Sequence, residues 1–232
     1  MRPDSVHAVI AVKNLERAKS RLADRLPPAD RSRLVLAMLS DTVAAAAAAG
    51  LGSVTVVTPD AEVAGAVRTL GAHAHPDPAA PHDGLNAALS DAAAAVRRRR
   101  GAVELLALQA DLPALRADEL HDMLNTAPPT GRSVVADHTG HGTAALLVRD
   151  GIAPLAPLFG PDSARRHIDS GAKDLAGDWP GLRLDVDTAA DLSGAVALGV
   201  GPATAALLDI IGWPRPVHTD LTWRCAAGSH VC

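Results

Sequence analysis

Residues 104–115 read ELLALQADLPAL, and the fold is expected to be organised around them. The apolar run from Leu105 to Leu108 is too short for a typical helix but long enough for a strand buried on both faces, as in a parallel sheet covered by helices. Asp111 follows, and Pro113 ends the strand. Because burying an unpaired charge is costly, we expect Asp111 to face a crevice where a cation or ligand compensates it. An N-cap or turn aspartate explains this segment equally well.

Strand-like and helix-like segments alternate on both sides of this stretch. Besides the central strand, strands are predicted over residues 6–12, 53–58, 72–75, 133–137, 144–148 and 182–187. Helices are predicted over residues 15–26, from 28 to 49, 60–70, 84–100, around 120–124, 163–170 and around 192–198. The short glycine-containing turn over residues 138–143 suits an antiparallel pair. This alternation predicts a three-layer α/β fold with a mostly parallel sheet and one antiparallel insertion.

Length and composition narrow the classes of protein to consider. The chain has 232 residues, of which 48% are apolar and 21% charged, as in an ordinary globular domain. We predict one domain over residues 1–201 and a C-terminal helix with a partly irregular tail over residues 202–232. The net charge of −4 argues against a general nucleic-acid surface, and the chain lacks the run of about 18 apolar residues that indicates a membrane span.

The two ends of the chain bear on compartment and redox state. Residues 1–11 lack the pattern of a signal peptide, so the cytoplasm is the expected location. Cys225 and Cys232 both lie in the last eight residues, so neither can cross-link the core. His230 lies between them, but three potential ligands at this spacing do not make an established zinc site.

A cationic stretch, KNLERAKSRL, follows the first predicted strand. Lys13 leaves that strand, and Lys19, Ser20 and Arg21 follow in the first turns of the predicted helix. Cations and free backbone amides at this point of an α/β fold make a phosphate site, whereas a solvated helix face is the simpler explanation of the local pattern. The sequence contains no G-x-G-x-x-G or P-loop pattern, which disfavours a dinucleotide-binding fold or a P-loop ATPase.

The segment LDVDTAADL places two carboxylates two residues apart. In a strand, Asp185 and Asp187 point to the same face, and two carboxylates on one face need a cation. Thr188 also fits a helix N-cap, which explains Asp187 but leaves Asp185 unexplained. If this strand neighbours that of Asp111, three carboxylates converge at one edge of the sheet. Hard oxygen ligands of this kind select Mg²⁺.

The segment FGPDSARRH combines a glycine, a hydroxyl and two cations. Gly160 allows a close approach of a ligand to the backbone, and Ser163 lies near a predicted helix start. Arg165 and Arg166 fall in the first turn, where cations oppose the helix dipole unless an anion is present. We therefore favour a phosphate or carboxylate site here over a simple Ser163 cap.

Six motifs in this order resemble one family. They are AVKNLERAKSRL, DGLNAAL, LQADLPAL, ADHTGHGTAALL, FGPDSARRH and RLDVDTAADL, and the similarity runs from about residue 6 to residue 198. The combination is similar to the phosphoenolpyruvate or 2-phospho-L-lactate guanylyltransferases of deazaflavin coenzyme biosynthesis. The resemblance implies a Rossmann-like nucleotidyltransferase fold in which GTP and a phosphorylated three-carbon acid react with Mg²⁺ and release pyrophosphate.

The resemblance also implies roles for individual residues. The residues expected to hold two Mg²⁺ ions are Asp111, Asp185 and Asp187. The residues expected to contact the acid are Thr143, Gly160 and Ser163. The residues expected to bind the nucleotide are Lys13, Lys19, Ser20, Arg21, Asp83, Gly84 and Asn86. The residues expected to be catalytic are Asp111, Lys19 and Lys13. The superfamily usually has a glycine-rich loop after the first strand, and this chain has NLERAKS there instead.

The implied reaction is an in-line attack by a phosphate oxygen of the acid on the α-phosphorus of GTP, without a protein nucleophile. The high content of Ala, Arg and Gly suggests an actinobacterial source, and phosphoenolpyruvate is the acid expected for that branch, with 2-phospho-L-lactate as the alternative. A downstream transferase of the same pathway is the expected protein partner. The other hypotheses are a nucleotidyltransferase for another acceptor, a non-catalytic GTP-binding protein and a dinucleotide oxidoreductase.

Overall fold

The computed structural model describes residues 5–13, 15, 19–77 and 84–214. The strands are β1 (Val6–Ala11), β2 (Ser53–Thr58), β3 (His73–Pro76), β4 (Glu104–Leu108), β5 (Arg132–Ala136), β6 (Thr143–Val148) and β7 (Lys173–Asp174). The helices are α1 (Pro28–Ala48), α2 (Ala61–Thr69), α3 (Gly84–Arg100), α4 (Ala117–Thr126), α5 (Ser163–Asp169), α6 (Pro180–Arg183), α7 (Ala189–Leu198) and α8 (Pro202–Ile210). Asp83, Cys225, His230 and Cys232, which the sequence analysis singled out, lie outside the described residues.

All seven described strands join one mixed sheet with the order β3-β2-β1-β4-β6-β5-β7. β1 pairs in parallel with both β2 and β4, with Val9 opposite Thr55 and Ala107. β6 runs antiparallel to β4 and to β5. The carboxyl ends of β1 and β4 therefore meet the amino end of β6 at one edge of the sheet. This arrangement confirms the mostly parallel sheet with one antiparallel insertion.

The sheet is covered on both faces, which explains why its central strands are apolar throughout. Ile10 and Leu106 belong to a core cluster with residues of α1, α2, α4, α7 and α8. Val9 and Ala107 belong to a second cluster on the other face, where Leu89 is one of the residues of α3. The result is the three-layer α/β fold that the sequence predicted. None of the described helices is both long and apolar enough to cross a lipid bilayer.

Two helix ends lie within one residue of the predicted bounds. The side chain of Asp60 caps α2 by accepting hydrogen bonds from the backbone N–H groups of Glu62 and Val63, at 2.9 and 3.3 Å. Gly50 follows α1 with a φ of 77°, a conformation that glycine adopts without strain. The predicted ends of these helices are confirmed.

The helix predicted over residues 15–26 is not confirmed. In this range the described residues form only a 3₁₀ turn over Ser20–Leu22, which follows Lys19 in the left-handed conformation with a φ of 52°. A non-glycine residue in this conformation interrupts an α-helix. The apolar spacing still has a purpose, because Leu22 and Leu26 are buried in the core. Periodicity therefore identified the buried side chains but not the backbone path.

The strand predicted over residues 182–187 is also wrong. Pro180 begins the helical turn α6, and residues 184–187 then run outside the sheet. β4 already has β1 on one side and β6 on the other, so it has no free edge for another strand. One backbone hydrogen bond, from the N–H of Val186 to the carbonyl of Asp111 at 3.1 Å, connects this segment to the end of β4.

The last described helix, α8, packs against α1. Asp41 of α1 accepts hydrogen bonds from the N–H groups of Ala203 and Thr204, at 3.0 and 2.8 Å, and so caps α8 from another helix. A Cβ at Gly201 would lie 2.4 Å from Cγ of Asp41, so only glycine fits there. The predicted domain boundary after this residue stays a prediction.

Candidate active site

A lysine lies between two carboxylates at the edge where β1 and β4 end. The ammonium of Lys19 contacts Oδ2 of Asp111 and lies 2.9 Å from Oδ1 of Asp187. Burial on its own would lower the pKa of Lys19, but the two carboxylates outweigh burial and raise the pKa above its ordinary value. Lys19 is therefore charged. The three side chains come from three separate loops, so the fold brings them together.

The start of α7 shows whether the carboxylate of Asp187 serves as a helix cap. The N-cap of α7 is Thr188, whose hydroxyl accepts a hydrogen bond from the N–H of Asp191 at 3.2 Å. The carboxylate of Asp191 accepts in return from the N–H groups of Asp187 and Thr188, at 3.1 and 2.7 Å. The carboxylate of Asp187 is not needed for the cap and faces Lys19 instead.

Asp185 is a carboxylate without adequate compensation. Burial is the main cause that raises its pKa to about 6, and the negative charges of Asp111, Asp137 and Asp187 raise it further. Its Oδ1 is buried and has no hydrogen-bond partner among the described residues. Nδ1 of His138 approaches this oxygen to 3.4 Å but does not satisfy it as a hydrogen-bond donor. The position is one where a cation would relieve a clear electrostatic deficit.

The residues present suit a hard divalent cation. Asp111, Asp185 and Asp187 offer the carboxylate oxygens that Mg²⁺ prefers, and the unsatisfied oxygen of Asp185 is an observation in favour of such an ion. Within the described ranges, however, no three His, Cys, Asp or Glu side chains are grouped closely enough to hold a metal. The sequence predicted that the three carboxylates converge, but Lys19 separates two of them. The donor chemistry fits Mg²⁺, with Lys19 now between two of the carboxylates.

The other cations predicted to bind a nucleotide also have acidic partners. Lys13 lies 2.5 Å from Asp77, which follows β3. Arg21 is largely exposed and lies 3.5 Å from Asp187. Ser20 is exposed at the start of the 3₁₀ turn. These residues surround the same edge of the sheet, but only Lys19 is held at its centre.

Side chains from α3 and α5 hold the backbone just before α5. Asn86 accepts a hydrogen bond from the N–H of Phe159 at 2.8 Å and donates to the carbonyl of the same residue at 3.0 Å. Arg166 donates to the carbonyls of Leu158 and Phe159, at 2.7 and 3.1 Å. His167 accepts from the N–H of Leu158 at 2.8 Å. We call residues 158–160 the clamped segment. The amide of Asn86 is thus engaged with the backbone of the clamped segment. We call this segment, together with Thr143 and Ser163, the acid side of the site, because the residues predicted to contact the acid lie here.

The three residues predicted to contact the acid lie around this segment. Thr143 begins β6 and is 1% exposed, and its hydroxyl lies 3.0 Å from Nδ1 of His167. Gly160 has a φ of 125°, which a residue with a side chain rarely adopts. Ser163 is the first residue of α5 and is also buried. Arg165 pairs with Asp169 at 2.8 Å on the exposed face of α5 and so does not serve the clamped segment.

Three residues of this region were not singled out from the sequence. They are Asp137, His138 and His167. His167 is the last residue of the quoted motif FGPDSARRH and lies one helical turn after Ser163, a spacing that puts both on one face of α5. That spacing is the signal that could have identified it. Gly84 begins α3 with a φ of 69°, two residues before Asn86.

Comparison with known proteins identifies the family of the chain. A family model described as "Guanylyl transferase CofC like" matches residues 6–214. The chain is 67% identical over 227 residues to a protein of Nocardia farcinica named phosphoenolpyruvate guanylyltransferase, and the match covers 97% of this chain and 100% of the relative.

Solved structures show the same fold at low sequence identity. A protein of Desulfovibrio desulfuricans described as a nucleotide-diphospho-sugar transferase superposes with a TM-score of 0.63 at 14% identity, covering 89% of this chain and 96% of that one. A protein of Mycobacterium tuberculosis in complex with manganese superposes with a TM-score of 0.50 at 21% identity, covering 83% of this chain and 97% of that one. The fold is therefore nucleotidyltransferase-like.

Proposed function

The chain belongs to the CofC-like guanylyl transferase family, and on this premise we propose that it transfers GMP from GTP to phosphoenolpyruvate, giving enolpyruvoyl-diphospho-guanosine and pyrophosphate. The structural observation that carries the proposal is the meeting of Lys19, Asp111 and Asp187 at the carboxyl edge of the sheet, next to the buried Asp185. This is the edge at which open α/β sheets bind their ligands.

The reaction requires two polyanions to meet. A phosphate oxygen of the acid attacks the α-phosphorus of GTP, the bond to the β-phosphate breaks, and pyrophosphate leaves with the electron pair. The protein therefore has to orient both substrates and offset negative charge. Asp111, Asp185 and Asp187 would hold Mg²⁺, which supplies positive charge to the phosphate oxygens when bound. Two ions remain our expectation for this site.

Lys19 has a specific part in this scheme. Its buried ammonium is charged and lies where the two substrates would come together. This ammonium would donate hydrogen bonds to phosphate oxygens of GTP as well as to Asp111 and Asp187. Lys13, Ser20 and Arg21 would add further contacts to the nucleotide at this edge, together with Asp83 and with Gly84 at the start of α3.

The acid would bind at the other side of the site. Thr143, Gly160 and Ser163 would contact its phosphate or carboxylate, with the clamped segment held in place by Asn86 and His167. Phosphoenolpyruvate and 2-phospho-L-lactate carry the same two anionic groups and differ in the carbon between them, planar or tetrahedral, and in the methylene or methyl group that it bears. Such a small difference in shape is worth about 1 to 3 kcal/mol, so we expect preference for phosphoenolpyruvate without absolute exclusion of the other acid.

A pyrophosphate-release assay tests the proposal. It combines GTP, ATP, CTP or UTP with phosphoenolpyruvate, 2-phospho-L-lactate or 3-phosphoglycerate, with and without Mg²⁺. We expect release with GTP and phosphoenolpyruvate only when Mg²⁺ is present, and a GTP rate at least about 100-fold above the ATP rate. Nucleotide binding without release under any combination would indicate a non-catalytic GTP-binding protein. Equal rates with ATP and GTP would refute the assignment of guanine.

Location and partners complete the proposal. We place the enzyme in the cytoplasm, without a nucleic-acid or membrane partner, and with a downstream transferase of the same pathway as the acceptor of its product.

A further inference from the structure

His167 makes polar contacts with both elements of the acid side of the site. It is 0% exposed on α5. Its Nε2 accepts a hydrogen bond from the N–H of Leu158 at 2.8 Å, and its Nδ1 lies 3.0 Å from Oγ1 of Thr143. The ring of Phe159 packs against it edge to face, with the ring centroids 5.4 Å apart. Both nitrogens and the ring are therefore fixed by the surrounding structure.

These contacts determine where the proton of the imidazole lies. A backbone N–H can only donate, so Nε2 must carry a lone pair towards Leu158. The neutral ring then has its proton on Nδ1, and that N–H is shared between the hydroxyl oxygen of Thr143, 3.0 Å away, and the backbone of Ser163 one helical turn earlier. Burial, followed by the positive charge of Arg132, lowers the pKa of His167 to about 4, which agrees with a neutral ring at pH 7.

The direction of the Thr143 hydroxyl follows from this. Because its oxygen accepts a hydrogen bond from His167, its proton cannot point towards the ring. In the part of the chain that the structure describes, no other hydrogen bond is made by this hydroxyl. Thr143 is almost fully buried, so bulk water has little access to it. A buried hydroxyl proton without an acceptor is costly, so an acceptor supplied by a ligand beside Thr143 would satisfy it.

We propose that His167 is a positioning residue for substrate, which orients the Thr143 hydroxyl as a hydrogen-bond donor to the phosphorylated acid and aligns the clamped segment through Leu158. The inference rests on the proposed function, in which Thr143 contacts the acid. It adds a specific role for a side chain that does not itself touch substrate. Phosphate and carboxylate oxygens are acceptors only, so they match a hydroxyl whose donating direction is fixed.

Two substitutions separate the two contacts of the ring. The amide of His167→Asn reaches about as far as Nδ1 and can still donate to Thr143, whereas the amide of His167→Gln reaches about as far as Nε2 and retains only the contact with Leu158. The same His→Gln change at His121, which is exposed on α4, is the matched control. Thermal melts identify any variant that fails to fold.

Binding of phosphoenolpyruvate by calorimetry is the first readout, because it does not depend on turnover. We expect the dissociation constant to rise about tenfold in His167→Gln, and by no more than about threefold in His167→Asn, since one hydrogen bond to a charged group is at stake. KM for phosphoenolpyruvate should follow, while KM for GTP and kcat change by less than about threefold. Normal acid binding by His167→Gln with weakened binding by His167→Asn would show that the positioning role is wrong. So would variants that both bind the acid and GTP equally more weakly.

A double-mutant cycle with Thr143→Val tests whether His167 acts through the hydroxyl. Thr143→Val on its own should weaken acid binding about as much as His167→Gln, and Thr143→Ser should restore it. Adding His167→Gln to Thr143→Val should then have little further effect, about twofold or less. Multiplication of the two effects would overturn the proposal. If a His167 variant does not fold, unchanged acid binding in Thr143→Val would still overturn the proposal, because His167 is proposed to act through this hydroxyl.

Nitrogen-15 NMR of the histidine rings gives a readout that is independent of substrate. We expect His167 at pH 7 as the neutral Nδ1–H tautomer. The Nε2–H tautomer, or a protonated ring, would overturn the inference whether or not the enzyme is active. Conversely, wild-type protein that binds phosphoenolpyruvate as described but releases no pyrophosphate would reject the proposed function and leave the role of His167 intact.

Discussion

The two sides of the site differ in how completely their polar groups are satisfied. On the acid side, Asn86, Arg166 and His167 provide hydrogen bonds to both polar backbone groups of Leu158 and of Phe159. On the carboxylate side, a buried oxygen of Asp185 has no partner among the described residues.

This difference suggests separate roles for the two sides in substrate binding and in turnover. The backbone of the clamped segment is held in place before any ligand arrives, which supports the proposal that this surface recognises small anions. The carboxylate side is electrostatically incomplete, and a bound cation would relieve it. Substitutions on the carboxylate side should therefore affect turnover most, and those on the acid side should affect substrate affinity.

The largest effect is expected for Asp111→Asn. Removing this charge weakens the cation site and leaves Lys19 with only Asp187, so we expect kcat to fall about 1000-fold or more, equivalent to about 4 kcal/mol of transition-state stabilisation. The fold should persist, as judged by circular dichroism. Asp118→Asn, on the exposed face of α4, is the matched control. Full activity of Asp111→Asn with Mg²⁺ would remove Asp111 from the mechanism.

Asp185→Asn should have opposite effects on activity and stability. We expect kcat to fall about 100-fold, because a metal ligand is weakened. Without divalent cations, however, the variant should be more stable than wild type at pH 7 by about 1 to 3 kcal/mol, because an ionised carboxylate is costly where its pKa is raised to about 6 from 3.8.

The pH dependence of that difference follows from the sign of the shift. A raised pKa in the folded state means that the stabilising contribution is fully present below about pH 3.8 and is lost as the pH rises through about 6. The asparagine does not titrate, so the variant's advantage should be greatest near pH 7 and vanish near pH 4. Urea unfolding across this range measures it. A destabilised variant at pH 7 would contradict the account of Asp185.

Asn86→Ala is expected to have a smaller effect, on the acid side. The resemblance to guanylyltransferases predicts that Asn86 helps to select GTP over ATP, but its amide is engaged with Phe159. Removing it leaves the N–H of Phe159 unsatisfied, a loss of about 1 to 3 kcal/mol. We therefore expect KM for phosphoenolpyruvate to rise about tenfold or more.

The comparison variant is Asn86→Asp, which keeps an acceptor for the N–H of Phe159 but places a second oxygen against the Phe159 carbonyl and adds a negative charge. We therefore expect KM for phosphoenolpyruvate to rise at least as much as in Asn86→Ala. The ratio of GTP to ATP turnover is measured in the same series. A ratio that narrows while KM for the acid stays constant would show that Asn86 reads the base and that its contact with Phe159 is incidental.

The sequence predicted those parts of the fold that depend on local pattern. The apolar runs of β2 and β4, the start of α2 near Asp60 and the antiparallel pair of β5 and β6 could each be recognised from a few neighbouring residues. It also predicted that Asp111 and Asp187 lie close together, on the condition that a strand over residues 182–187 neighbours that of Asp111. The two carboxylates do meet, through Lys19, although that strand does not form.

Other features depended on information that no local pattern contains. The sequence LRLDVD alternates like a strand, yet β4 had no free edge to accept it. The left-handed conformation of Lys19 could not be predicted, because the apolar spacing of its neighbours is that of a helix. The contact of Asn86 with Phe159 joins residues 73 positions apart, and only the assembled fold reveals it.

The most direct test of the central claim is the mass of the product formed from GTP, Mg²⁺ and each acid supplied separately. We predict a guanylylated enolpyruvate from phosphoenolpyruvate as the main product, with less guanylylated lactate from 2-phospho-L-lactate. A guanylylated lactate without any guanylylated enolpyruvate, or no guanylylated acid at all, would contradict the account.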